Sequence, residues 1–305
     1  MIQENAIPIL DLDLGISGID PVMDSVNTFM MIVEFQHNGS AYVADLSKGK
    51  PISIPLDFDG AQANHFGATK ASRAPLELGG FVGDTAQGAG CNVDVLRLIP
   101  HCNGTHSESV GHIVNQAVPV HEVVGSSLMV GRVVSIEPVP VSQVGEESYR
   151  PDFEERDQLI TAASLKEHFS NFENVHCLII RTLPNSDSKT SREYSDVNQP
   201  AFFTVNAIEW IVAQGVNQLM VDLPSIDRMY DGGLLTNHHL FWNVPEATHE
   251  LTESTRRDRT ITEMVFVPDE ITDGDYLVGL QVPSFCSDAA PSRPILYSFE
   301  QRTDQ

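Results

Sequence analysis

Short apolar runs of strand length mark the first half of the chain. Phe29–Phe35, Ala41–Leu46, Val93–Ile99 and Val123–Ile136 are rich in β-branched and aromatic residues, with turn signals such as Asn38-Gly39 and Phe58-Asp59-Gly60 between them. That pattern predicts strands. The period then changes. Ser164-Leu165-Lys166-Glu167 has the form of a capping box, so a helix is expected there, running to about Phe172. Val175–Ile180 reads as a buried strand. Thr204 is placed to cap a second helix, whose apolar positions Ala207, Ile208, Trp210 and Ile211 follow helical spacing up to Gly215. Gln218–Leu223 is another apolar run, and two strand–helix alternations in succession argue for parallel pairing. Beyond Glu263 strands return at Met264–Val267, Tyr276–Val282 and Ile295–Phe299. The expected fold class is α/β, a single domain with a central mixed β-sheet over residues 26–305. Residues 1–25 are polar, acidic and broken by Gly15, Gly18 and Pro21, and read as an N-terminal extension or an arm over a neighbour.

Composition narrows the function. A chain of 305 residues with 41% hydrophobic content buries roughly 75% of its unfolded surface, enough for a core without disulfides. Lys and Arg number 18 against 42 Asp and Glu, a formal charge of −24. That sign repels phosphate backbones and anionic lipid, so neither nucleic acid nor membrane is expected as a partner. The longest early apolar stretch, Phe29–Val33, is strand-sized. No basic segment followed by an apolar one opens the chain, so no secretory signal is expected. Cys91, Cys102, Cys177 and Cys286 are widely spaced without a CxxC pair, which is the usage of a reducing compartment, so the expected location is cytoplasmic. Cys91, Cys177 and Cys286 lie in apolar contexts and are expected as core thiols.

Potential ligands crowd into one segment, His101-Cys102-Asn103-Gly104-Thr105-His106-Ser107-Glu108-Ser109-Val110-Gly111-His112. If 104–108 is extended, His106 and Glu108 point to one face with Cα atoms ~6.6 Å apart, at ~3.3 Å per residue. Both could then reach one metal ion. Cys102 falls on the same alternation, whereas His101 would face the other way. Gly104 allows a close backbone approach, and Gly111 lets the chain bring His112 back. The competing reading is a polar loop. A second group comprises His238, His239, His249, Glu250 and Glu263. Its plain reading is a helix carrying one packed and one solvated histidine.

Taken together these segments resemble a known family. Gly104–His112 is similar to the His-x-Gly-Thr-His-x-Asp-x-Pro-x-His signature of the family named "putative cyclase", which includes bacterial kynurenine formamidase and isatin hydrolase. Asp45-Leu46-Ser47, Leu178-Ile179-Ile180-Arg181-Thr182 and Val221-Asp222-Leu223-Pro224-Ser225-Ile226-Asp227 resemble further elements of that family, in order. His238 occupies the place of its later metal-binding histidine, Thr262-Glu263-Met264 that of its ligand glutamate, and Ala290–Pro294 that of its "Gly-Ser-Pro-Val-Arg". The sequence departs from the pattern at three signature positions: Cys102 stands for the first histidine, with His101 one place early; Glu108 stands for Asp; Val110 stands for Pro. Residues 243–260 look like an inserted loop, in which Glu250 is a rival ligand.

The resemblance implies a swivelling β/β/α fold and a metal-dependent hydrolase, arylformamidase-like, acting on an amide, formamide or cyclic amide. It implies a divalent ion, Zn or Mn, held by His106, Glu108, His238 and Glu263 with Cys102 or His101 as a further ligand. Glu263 and His112 are the expected catalytic residues, with His112 moving protons, a task suited to the one side chain that titrates near neutrality. A homodimer or homotetramer is implied as well. Phe58, Phe66, Phe81 and Trp242 are candidate walls for a small-molecule pocket. Other designs find little support: Gly125-Ser126-Ser127-Leu128-Met129 lacks the last glycine of a nucleophile elbow, no His-Glu-x-x-His occurs, and no P-loop or dinucleotide fingerprint is present. The alternative class is a non-hydrolytic ligand-binding or structural relative that has lost the full metal site.

Overall fold

The structure, a computed structural model, describes residues 30–125, 128–168 and 175–303. The expected arm at 1–25 lies outside the described residues, as does the helix expected beyond His168. Among the described residues the largest sheet has nine strands. Its centre is parallel: Leu128–Ile136, Cys177–Thr182, Gln218–Val221 and Thr260–Glu263 run side by side. The first three are near-continuous apolar runs because both faces are covered. Val134, Ile136, Leu178, Ile180, Leu219, Val221 and Ile261 pack on one face under the helices Ala162–His168, Val205–Ala213 and Thr236–Trp242. Val133, Cys177, Ile179 and Met220 take the opposite face, against Ile52, Val265, Val267, Val278 and Leu296. Side chains alternate between the two clusters, as a pleated strand requires.

Antiparallel strands flank this centre. On one side Gly274–Gly279, Ile295–Tyr297 and Lys50–Pro51 follow; on the other His106–Glu108 pairs with Thr260–Glu263 and then with Ala289–Pro291. The expected mixed α/β sheet is therefore present. Thr204 caps its helix by accepting from the Ala207 N–H, and Gly215 takes a φ of 80° beyond the end.

Four local expectations are corrected. The helix predicted from Ser164 starts at Ala162, because Thr161 Oγ1 accepts from the Ser164 N–H and Glu147 takes the N–H groups of Ala162 and Ala163. Val123–Ile136 is not one strand: Val120–Val123 forms a helical turn and the strand begins at Leu128. The strand expected from Met264 lies one step earlier, at Thr260–Glu263, since Met264 turns the chain with a φ of 53°. Cys91 and Cys286 are exposed, and only Cys177 is a core thiol. No helix of the described residues is long and apolar enough to cross a membrane.

Candidate metal centre

The centre is assembled on the edge of the parallel sheet by strand register. Glu263 sits directly opposite His106, and Ile261 opposite Glu108. Because side chains on one face recur every second residue, His106, Glu108 and Glu263 project together. Ser107 and Thr262, the intervening pair, join their hydroxyls on the other face at 2.7 Å. Thr105 fixes the approach to this strand, accepting from the Ile54 N–H and donating to the Met264 carbonyl. The Thr236–Trp242 helix brings His238 in from the side, its Nε2 3.0 Å from Glu108 Oε1 and 3.7 Å from Glu263 Oε1. His106, Glu108 and His238 are buried outright.

His101 reaches the same carboxylate, Nδ1 to Glu108 Oε2 at 3.0 Å, and His112 Nε2 lies 3.9 Å from that oxygen. The alternation argument that sent His101 outward does not apply, because residues 100–102 form a turn, not a strand, with the N–H groups of Cys102 and Asn103 both donating to Ile99 O. His101, Glu108 and His112 bring one ligand atom each within 4.8 Å of one another, as do His106, Glu108 and Glu263. Cys102 belongs to neither trio. Glu250 is exposed and bound to Asn115 and Gln116, because the 243–259 loop packs on residues 113–116, where His249 meets the Ile113 carbonyl. His239 is buried against the Val244 carbonyl instead of being solvated. Of the suggested aromatic walls, Trp242 lies 5.6 Å from the His238 ring, whereas Phe66 and Phe81 are exposed.

Three of the histidines share one construction. His106 Nδ1 meets the Gly104 carbonyl at 3.0 Å, His238 Nδ1 meets Asp227 Oδ2 at 2.6 Å, and His101 Nε2 meets Asp288 Oδ2 at 2.9 Å. A carbonyl or carboxylate only accepts, so these ring nitrogens donate and the other nitrogen of each ring is turned inward. Such outward anchoring is the usual dress of a metal-bound imidazole. Inward, His106 Nε2 faces Glu263 Oε2 at 3.4 Å. His106 Nε2, His101 Nδ1 and Glu108 Oε2 are buried without a well-aligned hydrogen bond. At His106, whose Nδ1 already donates to Gly104, the Nε2 lone pair against Glu263 sets two acceptors face to face, and a cation between them removes the conflict.

The charges tell the same story. Burial disfavours ionised Glu108, yet His112, His101 and His238 hold its pKa well below the usual carboxylate range. Burial pulls His101 down, but its bonds to Asp288 and Glu108 carry it up to about 10. For His238 too burial opposes, and Asp227 and Glu108 raise it well above the ordinary imidazole value. Buried carboxylates without a metal draw protons onto their histidines. Asp288 carries no sequence signal. Asp227 does, closing the stretch that ends Ser225-Ile226-Asp227, although that motif says nothing of its contact with His238.

Residues 35–228 match the family described as "Putative cyclase", well over half of the chain, and the chain belongs to that family. No curated protein matches the sequence. Among solved structures it is similar to a predicted metal-dependent hydrolase from Bacillus stearothermophilus, with a TM-score of 0.52 at 14% identity over 82% of this chain and 98% of that one. Isatin hydrolase A from Ralstonia solanacearum aligns with a TM-score of 0.53 at 13% identity over 82% and 92%. A structure described as a novel cyclase gives 0.52 at 15% identity over 82% and 88%. At such identities the likeness is one of fold, and the fold is that of the cyclase family.

Proposed function

We propose that the chain is a metal-dependent hydrolase that opens an amide, formamide or cyclic amide. The observation that carries this reading is the inward-facing pair of His106 Nε2 and Glu263 Oε2, 3.4 Å apart in a buried site with no donor between them. His101, His106, His238, Glu108 and Glu263 would hold the cation or cations, zinc or manganese. A divalent ion there supplies Lewis acidity, lowering the pKa of a water to about 7 and polarising a carbonyl.

The chain's own groups supply the rest. Glu263 is kept in place by the Ile226 N–H, which donates to its Oε1 at 3.1 Å. Asp227 sets the tautomer of His238. His112 stands at the partly exposed rim, with Nδ1 3.5 Å from Asp288 Oδ2. That leaves its Nε2 to take a proton from the attacking water and return it to the departing nitrogen. We take the substrate to be a small molecule, and the protein to act as a cytoplasmic homodimer or homotetramer.

The test is reconstitution of chelator-treated protein with zinc or manganese, followed by metal analysis and assay on isatin and N-formylkynurenine. Stoichiometric metal with turnover of one of these supports the proposal. Sub-stoichiometric metal would instead favour a ligand-binding relative that has lost the site.

A further inference from the structure

One buried histidine beside the centre is built unlike the others. His65 is 3% exposed, and neither Nδ1 nor Nε2 has a hydrogen-bond partner. The anchoring acceptor that His101, His106 and His238 each possess is missing. A metal ligand is normally oriented from behind, so His65 is not dressed as one. Nor is it a loose side chain. Its N–H donates to Cys102 O at 3.1 Å and its carbonyl accepts from Ala68 N, while Asn64 bonds both Arg192 and Tyr194 through the backbone. The segment is thus clamped between the turn that carries His101 and the loop that carries Tyr194.

The ring's surroundings point to a ligand. His65 lies within electrostatic reach of His106, and an imidazole in its neutral form has one N–H to give and one lone pair to offer. The next residue, Phe66, adopts a φ of 59°, a costly conformation for an aromatic residue, and packs its ring 3.8 Å from the imidazole. Phe66 is half exposed and meets Tyr230 edge-on at 5.9 Å. An aromatic rim therefore stands beside a buried, unsatisfied donor next to the metal ligands.

We infer that His65 is a substrate-binding residue of this centre, whose imidazole N–H bonds a carbonyl oxygen of the amide held beside His106. The inference rests on the hydrolase reading for the nature of that ligand. It explains why an unsatisfied polar ring is retained where an apolar one would pack: the partner arrives with the substrate.

Isatin is the probe, its binding to zinc-loaded protein followed by tryptophan quenching on rapid mixing, before turnover. His65→Leu and His65→Ala should each keep full zinc content and weaken isatin binding at least about tenfold, the scale of one lost hydrogen bond. His65→Gln, which restores a donor, should recover to within about threefold of wild type. The Leu variant should also melt no lower than wild type, since it removes an unpaired buried group; if it fails to fold, the Ala variant carries the comparison. Unchanged affinity in the Leu or Ala variant, zinc lost with the ring, or a wild type that binds no isatin would each overturn the inference. A wild type that binds isatin in a His65-dependent way without hydrolysing it sinks the hydrolase reading alone.

Discussion

Asp227 holds His238 from behind: Oδ2 lies 2.6 Å from the ring Nδ1, while the opposite nitrogen faces Glu108 Oε1 at 3.0 Å. The same carboxylate accepts from the Tyr149 hydroxyl and from the N–H groups of Asn237 and His238. Those amides open a seven-residue helix and have no partner within it, so one aspartate both starts the helix and aims its histidine.

Asp227→Asn should therefore weaken zinc binding about 10- to 100-fold, the usual cost of removing a ligand's outer partner. A chromophoric chelator competing for the metal measures this directly. Equal affinity in the variant would mean that His238 does not bind the ion.

A second buried pair is structural. Lys189 Nζ lies 2.7 Å from Asp222 Oδ2 and also donates to the Thr182 carbonyl, with both side chains almost wholly buried. Burial pushes the Asp222 pKa up and the Lys189 charge opposes this. Lys189→Met leaves a carboxylate uncompensated and should destabilise the fold by about 3–5 kcal/mol. Urea denaturation reads the loss. Adding Asp222→Asn to that variant should return part of it, because the stranded charge is gone; a double variant worse than the single would contradict this account.

These two aspartates also show what the sequence could and could not convey. Val221–Asp227 was legible as a motif, but its chemistry was not: Asp222 serves an ion pair with Lys189, and only Asp227 serves the centre. Strand periodicity placed His106 and Glu108 on one face correctly, since both lie in a real strand. The same logic failed for His101, because it carried a two-residue period into a turn. Glu263 was legible as a candidate, yet its opposition to His106 depends on register between segments over 150 residues apart, which no local pattern encodes. Asp288 reaches His101 through a contact of that long-range kind.

His65 also gives the metal-free protein a pH signature. Its folded pKa of about 3 lies below the ordinary imidazole value, so between roughly pH 6.5 and 3 the unfolded chain binds a proton that the folded chain refuses. Stability should fall as pH drops through that window, by up to about 1.4 kcal/mol per unit from this residue. Denaturation of chelated wild type and His65→Leu at pH 7, 6 and 5 isolates the term. The variant's curve should be flatter by that amount; parallel curves would show that His65 is solvated or paired in solution.

The first ligand can be decided between neighbours. His101 Nδ1 lies against Glu108 and its other nitrogen is anchored by Asp288, the same arrangement as at His106 and His238. Cys102 is only half-buried, and burial and then the charge of Glu263 push its thiol pKa up, disfavouring the thiolate that a metal needs. His101→Ala should cost at least about tenfold in zinc affinity, as loss of an oriented ligand does. Cys102→Ser should stay within about threefold, since a thiol that does not bind the ion contributes little to holding it. Cobalt substitution offers an independent check, because a thiolate ligand adds a near-ultraviolet charge-transfer band. That band should be absent from the cobalt protein; its presence, and its loss in Cys102→Ser, would give the position to the cysteine.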